Sequence, residues 1–240
     1  VEELESLKKP WARLAEQAVY TNASFEPSFL ISAMRHFGDS NVKILIVEGP
    51  DNPLEQNSKK IYGLMPLVQK SFYHLPIRCQ EIWSHDQSFD HTPLLCKIHA
   101  EKTFEAMLDF LSQEKISLLS LDTVSMEPEF QSIIDNVLRR LGRSRFQRDQ
   151  FSRAAFRPVA PLEDYKKQFV SKSVKKNYGR LSRRLAEQGE VKLIQSDEFS
   201  NYDQLTQQFL EMEASGWKVE AGTALACDTA TEEFYQELIQ

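Results

Sequence analysis

Residues 84–91, "SHDQSFDH", hold the densest cluster of side chains that could do chemistry. They supply two imidazoles and two carboxylates, at His85, Asp86, Asp90 and His91. Such groups bind metal ions or take part in nucleophilic catalysis. Their spacing is neither a helical nor a zinc-knuckle spacing, and Ser84 adjoins His85, so a triad would not line up. We predict no metal site here and interpret the segment as a polar surface loop.

A second candidate is a run of cations. Between positions 165 and 186 the chain has eight Lys or Arg and no Asp or Glu. At about 100° per residue, residues 172–185 form an amphipathic helix with one apolar side, made of Val174, Tyr178, Leu181 and Leu185. The other side carries the cations that we name as candidate anion-binding residues: Lys172, Lys176, Arg180, Arg183 and Arg184.

This basic face has two interpretations. It is either the solvated face of a helix between domains, or a strip for an anionic partner such as a CoA phosphate, a sugar nucleotide, a lipid-linked substrate or tRNA. Like charges four residues apart on a helix repel each other. A basic face without any acidic residue therefore slightly favours the second interpretation, an anionic partner. Gly179 within the helix indicates a kink or the close approach of another backbone.

The third candidate is the stretch 213–226, "EASGWKVEAGTALA". Glu213 lies near the end of a predicted helix, where the macrodipole disfavours an anion. Gly216 is predicted to end that helix in the left-handed conformation, which explains it without any function. The residues that follow have no such local explanation: Trp217, Lys218 and Thr223.

Composition bounds the class of protein. The chain has 240 residues, of which 41% are hydrophobic, so it can bury a core in one large or two small domains. A net charge of -6 argues against a DNA partner held by the overall field. Three widely spaced cysteines form neither a disulfide framework nor a thiolate zinc site: Cys79, Cys96 and Cys227. With no apolar leader and no membrane-length apolar run, we expect a cytoplasmic protein without a membrane span.

The periodicity predicts the elements that position these residues. In the first part we expect helices at 2–18 and 26–38, strands at 42–47, 61–73 and 78–84, a helix at 97–113, a strand at 117–124, a helix at 127–142 and an extended region at 145–159. Pro66 indicates an edge strand or a bulge. The alternation is too irregular for a doubly wound repeat, so we predict an α/β (α+β) protein with a mixed sheet and helices packed on it.

From Pro161 the character of the chain changes. A basic helical segment is followed by a strand at 190–195, a helix at 201–216 and a final helix from Thr229, where Glu232 stands at capping-box spacing. Several blocks of this half occur together in one known family: "SVKKNYGRLSRRLAEQGEV" at 173–191, "FLEMEASGWK" at 209–218, "GTALA" at 222–226 and "FYQEL" at 234–238.

With these blocks the chain resembles the GNAT superfamily of acetyltransferases, in the CelD-like branch of cellulose biosynthesis that is related to the FemAB proteins. The resemblance covers roughly the last 80 residues well, and the rest only in element order and short anchors such as "WARL" and "GLMPL". It implies a GNAT-like, largely antiparallel sheet in a tandem arrangement. We divide the chain into an N-terminal GNAT-like domain at 1–157, a basic interdomain helical segment at 158–189, and the opening elements of a second domain at 190–240.

The resemblance also implies a function. GNAT proteins transfer an acyl group from acetyl-CoA or another acyl-CoA to an amine, here of a small molecule or glycan in polysaccharide or envelope biosynthesis. The alternatives are a non-catalytic scaffold or binding module, and FemAB-like aminoacyl transfer from tRNA. The family binds pyrophosphate in a glycine-containing turn before a helix. The matching residues 84–97 contain no glycine, and the second domain stops before that turn, so we expect this chain to be catalytically incomplete.

Individual site residues follow from the same resemblance. The stretch after the Glu-containing helix borders the acceptor cleft of the family, which makes Trp217, Lys218 and Thr223 candidate substrate-binding residues. Glu213 is a weak candidate for the general base that the amine requires, and an exposed acid at the helix end is its alternative. A Trp217 that fills a gap between two helices is the alternative to a cleft wall.

Overall fold

The structure is a computed structural model that describes residues 2–50, 59–72, 75–154, 161–192 and 201–239. The chain forms two compact units. The first comprises Val1–Arg145 together with Asn201–Gln240, and the second comprises Phe146–Ser200. None of the described helices is long and apolar enough to pass through a membrane.

The first unit contains a sheet and most of the helices. Its strands are β1 (Val42–Pro50), β2 (Lys59–Phe72), β3 (Leu75–Ile82), β4 (Leu94–Leu95) and β5 (Leu118–Ser120). Its helices are α1 (Glu2–Glu5), α2 (Lys8–Glu16), α3 (Pro27–His36), α4 (Ala100–Gln113), α5 (Pro128–Arg140), and, near the end of the chain, α8 (Tyr202–Ala214), α9 (Trp217–Glu220) and α10 (Thr229–Leu238). The second unit contains α6 (Leu162–Phe169) and α7 (Lys172–Ala186).

The sheet has the order β1-β2-β3-β5, and the short β4 also pairs with β2. All pairs are antiparallel except β3 with β5, which is parallel. The parallel pair follows from its connection, because two neighbouring parallel strands need a crossover and α4 supplies it. The predicted mixed, largely antiparallel sheet flanked by helices is therefore confirmed.

The core lies between this sheet and its helices. Trp11 of α2 is fully buried, and its indole Nε1–H donates to the carbonyl of Phe25 at 2.8 Å. On α4 the predicted apolar face is buried at Phe104 and Met107, while Ile98, which precedes the helix, is 77% exposed. Gly63 lets β2 approach α4 closely, since a Cβ there would overlap side-chain atoms of Thr103 and Met107.

Pro66 lies neither on an edge strand nor at a bulge, so that prediction is wrong. It lies in β2, between β1 and β3, and faces Ile44 of β1. On the other side of β2 the pairing with β3 begins at Leu67, and the pairing with β4 covers Gly63 and Leu64. The proline therefore lies between the part of β2 that pairs with β4 and the part that pairs with β3. Its missing N–H interrupts no continuous ladder of hydrogen bonds there.

The last helix, α10, packs on α3. Its N-cap is Asp228, whose carboxylate accepts from the backbone N–H of Thr231 at 2.9 Å and from the Thr231 hydroxyl at 2.7 Å. The predicted cap at Thr229 is therefore wrong by one residue, because a carboxylate next to the helix start satisfies the amide and the macrodipole better than a hydroxyl. The same helix buries Phe234 completely.

Three further expectations can be compared with the structure. Residues 145–154 form no strand, contrary to the extended element predicted there, and 155–159 lie outside the described residues. The predicted strand at 190–195 begins in residues without regular structure, and 193–195 likewise lie outside the described part. Residues 201–240 group with the first unit. The division at 157 and 189 and the tandem arrangement stay predictions.

Candidate functional site

The connection from β3 to α4, residues 83–99, lies at the carboxyl end of the parallel strand pair. Open α/β sheets bind ligands at such ends, and a helix N-terminus there favours an anion. In this chain the connection first continues the ladder, since the N–H of Trp83 donates to Pro66 O at 2.9 Å. It then crosses to β4 before a single 3-10 turn at Lys97–His99 leads into α4.

Three backbone amides of this turn are already bonded. Cys96 N–H donates to Tyr62 O at 2.7 Å, and Lys97 N–H donates to Gln17 O at 2.9 Å. The N–H of His99 donates to Cys96 O at 3.0 Å. A pyrophosphate cradle needs several adjacent free amides and small residues, whereas this turn has three bonded amides and large side chains at Lys97, Ile98 and His99. The residues present therefore do not fit the pyrophosphate of an acyl-CoA at this turn.

The segment 84–91 is a surface loop only in part, since Ser84, Asp86 and Phe89 are exposed while Ser88 and His91 are buried. His91 is 5% exposed and Ser88 is 9% exposed. The Ser88 hydroxyl lies 2.7 Å from His91 Nε2, and His91 Nδ1 lies 3.1 Å from the carbonyl oxygen of Asp122. A carbonyl only accepts, so Nδ1 carries a proton. In the neutral ring Nε2 is then an acceptor for the Ser88 hydroxyl, whose other acceptor within reach is His85 O at 3.2 Å. Polar residues that find partners in the loop after β5 can be buried without penalty.

Sequence reasoning considered Ser84 and missed this Ser88–His91 pair. The signal was a serine three residues before a histidine, which one turn of chain can bring together. A serine hydroxyl within hydrogen-bond distance of an imidazole is the arrangement of a nucleophile and its base. Asp90 does not complete it, because its carboxylate accepts from the Tyr20 hydroxyl at 2.8 Å and from the Thr92 N–H at 2.8 Å. The Ser88–His91 pair lies between the segment 84–91 and the loop after β5, and it links these two segments.

His85 lies apart from that pair, in an aromatic cluster. Its ring centroid is 4.8 Å from that of Phe37 and 5.1 Å from that of Trp83. The pKa of His85 is lowered to about 4, mainly by burial and also by the nearby His91, while Asp86 opposes the shift. The imidazole is therefore neutral near pH 7. Within the described part of the chain, no group of three or more His, Cys, Asp or Glu could hold a metal ion.

Glu213 is held by two contacts. Its side chain is 8% exposed, and Lys218 Nζ lies 2.6 Å from one carboxylate oxygen. The other oxygen accepts from the backbone N–H of Leu225 at 2.9 Å. The hydrogen bond from Lys218, and then that from Leu225, lower the pKa of this carboxyl. A general base works best with a pKa near the working pH and a free oxygen. This geometry suits a carboxylate that joins α8, α9 and the following turn; a catalytic role for Glu213 stays a prediction.

The helix end is at a different glycine from the one predicted. Gly216 has φ −113° and ψ −163°, an extended conformation, and it precedes α9. The left-handed glycine is Gly222, with φ +67°. It ends α9, since Gly222 N–H donates to Val219 O at 3.0 Å and Thr223 N–H to Lys218 O at 2.8 Å. These two bonds define a Schellman motif. The preceding helix ends at Ala214 without a glycine.

The remaining predicted binding residues are exposed. The side chain of Trp217 is 71% exposed, so it fills no gap between helices among the described residues. The hydroxyl of Thr223 lies 3.4 Å from Lys218 O. The structure thus brings Glu213, Lys218 and Thr223 together around α9 and leaves the indole beside them open to solvent.

The basic helix is formed as predicted. It is capped by Ser171, whose hydroxyl accepts from Val174 N–H at 3.3 Å, and it runs unbroken past Gly179. No atom among the described residues approaches the position of a Cβ at Gly179, so the predicted close approach or kink is not seen. The candidate cations are exposed to solvent: Lys172, Lys176, Arg180, Arg183 and Arg184.

A shallow groove of about 550 Å³ lies on the outer strand β1. It is lined by residues 44–48 of that strand and by Ala106 and Phe110 of α4. Apart from Glu48, its lining has no side chain that could do acid, base or nucleophilic chemistry. Sequence reasoning did not anticipate this groove, because it depends on how α4 packs against the edge of the sheet.

Comparisons with known proteins add little to this geometry. No protein-family model matches the chain, and no curated protein matches it significantly. A solved structure of a probable acetyltransferase is similar with a TM-score of 0.34 and 14% identity, over 67% of this chain and 95% of that chain. A ribosomal-protein-alanine N-acetyltransferase from Brucella melitensis biovar Abortus 2308 has a TM-score of 0.36 and 14% identity, over 63% of this chain and 93% of that chain. Similarity at these values assigns no function.

Proposed function

We propose that the chain is part of a GNAT-type N-acyltransferase, which transfers an acetyl group from acetyl-CoA, or another acyl group from its CoA thioester, to an amine. The acceptor class is a small molecule or a glycan of polysaccharide or cell-envelope biosynthesis. One observation carries the proposal. An otherwise antiparallel sheet contains one parallel pair joined by α4, in a chain whose later blocks resemble the CelD-like branch.

Within this proposal, the first unit supports the fold and does not bind acyl-CoA at the β3–α4 turn, where three amides are already bonded. Residues 190–240 are the opening elements of a second domain. The acceptor contacts come from the α9 region, through Trp217, Lys218 and Thr223. The exposed indole of Trp217 offers an apolar wall, and Lys218, fixed by Glu213, offers a donor to a carbonyl or an anion.

The test is an acyl-transfer assay on the product of the complete reading frame. We expect thiol release from acetyl-CoA when a panel of amines, including amino sugars, is supplied. Trp217→Ala is expected to raise KM for the acceptor about tenfold, the usual cost of losing one aromatic contact, with unchanged stability. Val219→Ala is the matched control, because Val219 lies on the same short helix and is also exposed. Equal KM values for the two variants would reject the acceptor site.

A second candidate, a non-catalytic scaffold or binding module, is favoured by the bonded amides of the β3–α4 turn. It predicts neither thiol release nor acetyl-CoA binding by calorimetry in the complete gene product. That pair of negative results would contradict the acyltransferase proposal and leave the scaffold.

A further inference from the structure

Helix α7 exposes an apolar stripe along its whole length. The stripe consists of four residues at spacings of four, three and four: Val174, Tyr178, Leu181 and Leu185. Their exposed fractions are 57%, 74%, 48% and 56%. A helix of 15 residues is marginal in water by itself and normally gains its stability by burying such a face. Something outside the described residues is expected to cover it.

The charges around the stripe limit what that can be. At about 100° per residue, Lys175 and Arg184 lie roughly 90° to either side of the stripe, and the remaining cations lie farther round. None of the cations of α7 has a carboxylate partner among the described residues. Arg180 donates to the Asn177 side chain at 2.9 Å, and Arg183 donates to Gly179 O at 3.2 Å. A covering surface must therefore be anionic as well as apolar.

Three kinds of partner meet these conditions unequally. A second copy of α7 would bring cations against cations, which is unfavourable. An RNA would bind the cations through its phosphates and leave the four apolar side chains in water. A bilayer that contains anionic lipid offers contacts to both the stripe and the cations. The apolar stripe would lie at the acyl-chain boundary, and the flanking cations would lie at the phosphates.

We propose that α7 docks flat on an anionic lipid surface. Tyr178 then lies at the headgroup level, where an aromatic ring with a polar tip is favoured, and Lys175 and Arg184 extend their aliphatic stems along the interface. The opposite face adds long-range attraction through Lys176 and Arg183. The docking is peripheral, since no described helix could cross a membrane. It is independent of the acyl-transfer proposal and concerns where the protein works.

The experiment is co-flotation of the full chain with vesicles. One set contains phosphatidylglycerol and phosphatidylcholine in equal amounts, and the other contains phosphatidylcholine alone. We expect binding to the first set at low salt and weak or no binding to the second. Lys175→Gln with Arg184→Gln should weaken the partition constant about fivefold per charge, or roughly 30-fold. Lys9→Gln with Lys102→Gln, two exposed cations of the first unit, is the matched control and should bind like the parent.

The apolar stripe has its own variant. Leu181→Gln with Leu185→Gln keeps good helix formers and should weaken binding about tenfold or more. Ile98→Gln, at an exposed apolar position of the first unit, should change nothing. Insertion is measured separately with the variant Tyr178→Trp, whose tryptophan emission should shift to the blue with anionic vesicles. The emission of Arg183→Trp, on the opposite face, should not shift.

Two results would overturn the proposal. The first is absence of binding to anionic vesicles at low salt. The second is binding that needs the cations but is unaffected by the Leu181 and Leu185 changes, with no blue shift at position 178. The helix would then bind lipid only as it binds any polyanion, without inserting its apolar stripe. A tRNA retained under that second outcome would assign the basic face to RNA, and a protein captured through the stripe without vesicle binding would assign it to an acidic protein.

Discussion

Phe234→Ala is expected to lower the free energy of unfolding by about 3–5 kcal/mol, as truncation of a buried phenylalanine usually does. Phe234 is fully buried. Its ring centroid is 5.2 Å from that of Phe29 in α3 and 5.0 Å from that of Phe37, the residue that caps the end of α3. The cavity left by alanine would lie between α10 and α3.

Urea unfolding followed by circular dichroism measures this change. Phe146→Ala is the control, because the Phe146 side chain is 90% exposed and its loss should shift stability by less than about 0.5 kcal/mol. Hydrogen exchange should show α10 losing protection before the sheet does. Equal effects of the two substitutions would mean that α10 is not docked on α3.

Lowering the pH from about 6.5 to about 4 is expected to weaken the same cluster through His85. Burial lowers the pKa of this imidazole from 6.5 to about 4 in the folded chain. In this window the unfolded chain binds the proton and the folded chain does not, so stability rises with pH and is lost as the pH falls. The maximum slope is about 1.4 kcal/mol per pH unit, and solvent at the partly open ring reduces the total to about 1–2 kcal/mol.

The measurement is the free energy of unfolding at several pH values for the parent and for His85→Phe. The substitution keeps a ring that can stack on Phe37 and removes the proton. Carboxylates contribute equally to both proteins, so the difference between the two curves isolates the imidazole. The difference should grow as the pH falls through the window. Parallel curves would show that His85 is protonated as easily in the folded chain as in the unfolded one.

Much of the fold could be predicted from residue periodicity. The apolar face of α4 was recognisable at Phe104 and Met107, which are both buried. The end of α5 was recognisable from Gly142, whose φ of +63° favours a residue without a Cβ. Such features depend on a few neighbouring residues. The mixed character of the sheet followed from the irregular order of helices and strands.

The errors came from choices between neighbours that only tertiary structure resolves. Gly216 and Gly222 are both acceptable helix stops, and the short helix α9 between them determined which one is left-handed. Pro66 is tolerated in an inner strand because β3 and β4 meet opposite it. No local pattern carries that information.

The candidate site was predicted only in part. Charge and periodicity were enough to place the cations of α7 on one face, and the structure forms that helix. The burial of Ser88 and His91 was not predictable, because the His91 ring bonds to Asp122 O in the loop after β5, 31 positions along the chain. Glu213 was recognised as unusual. Its hydrogen bond from the Leu225 N–H was not predictable, because it depends on the turn after α9.

In the proposed acyltransferase, the β3–α4 turn has the position of the family's acyl-CoA loop, but the N–H groups of Cys96, Lys97 and His99 are bonded to Tyr62 O, Gln17 O and Cys96 O. Amide NMR of the 240-residue chain, titrated with acetyl-CoA, tests whether this turn is closed to the ligand. We predict that the N–H signals of Cys96, Lys97 and His99 stay in place and remain protected from exchange at millimolar ligand. A saturable shift of these three signals would contradict it, because the bonded amides would then have opened to bind phosphate.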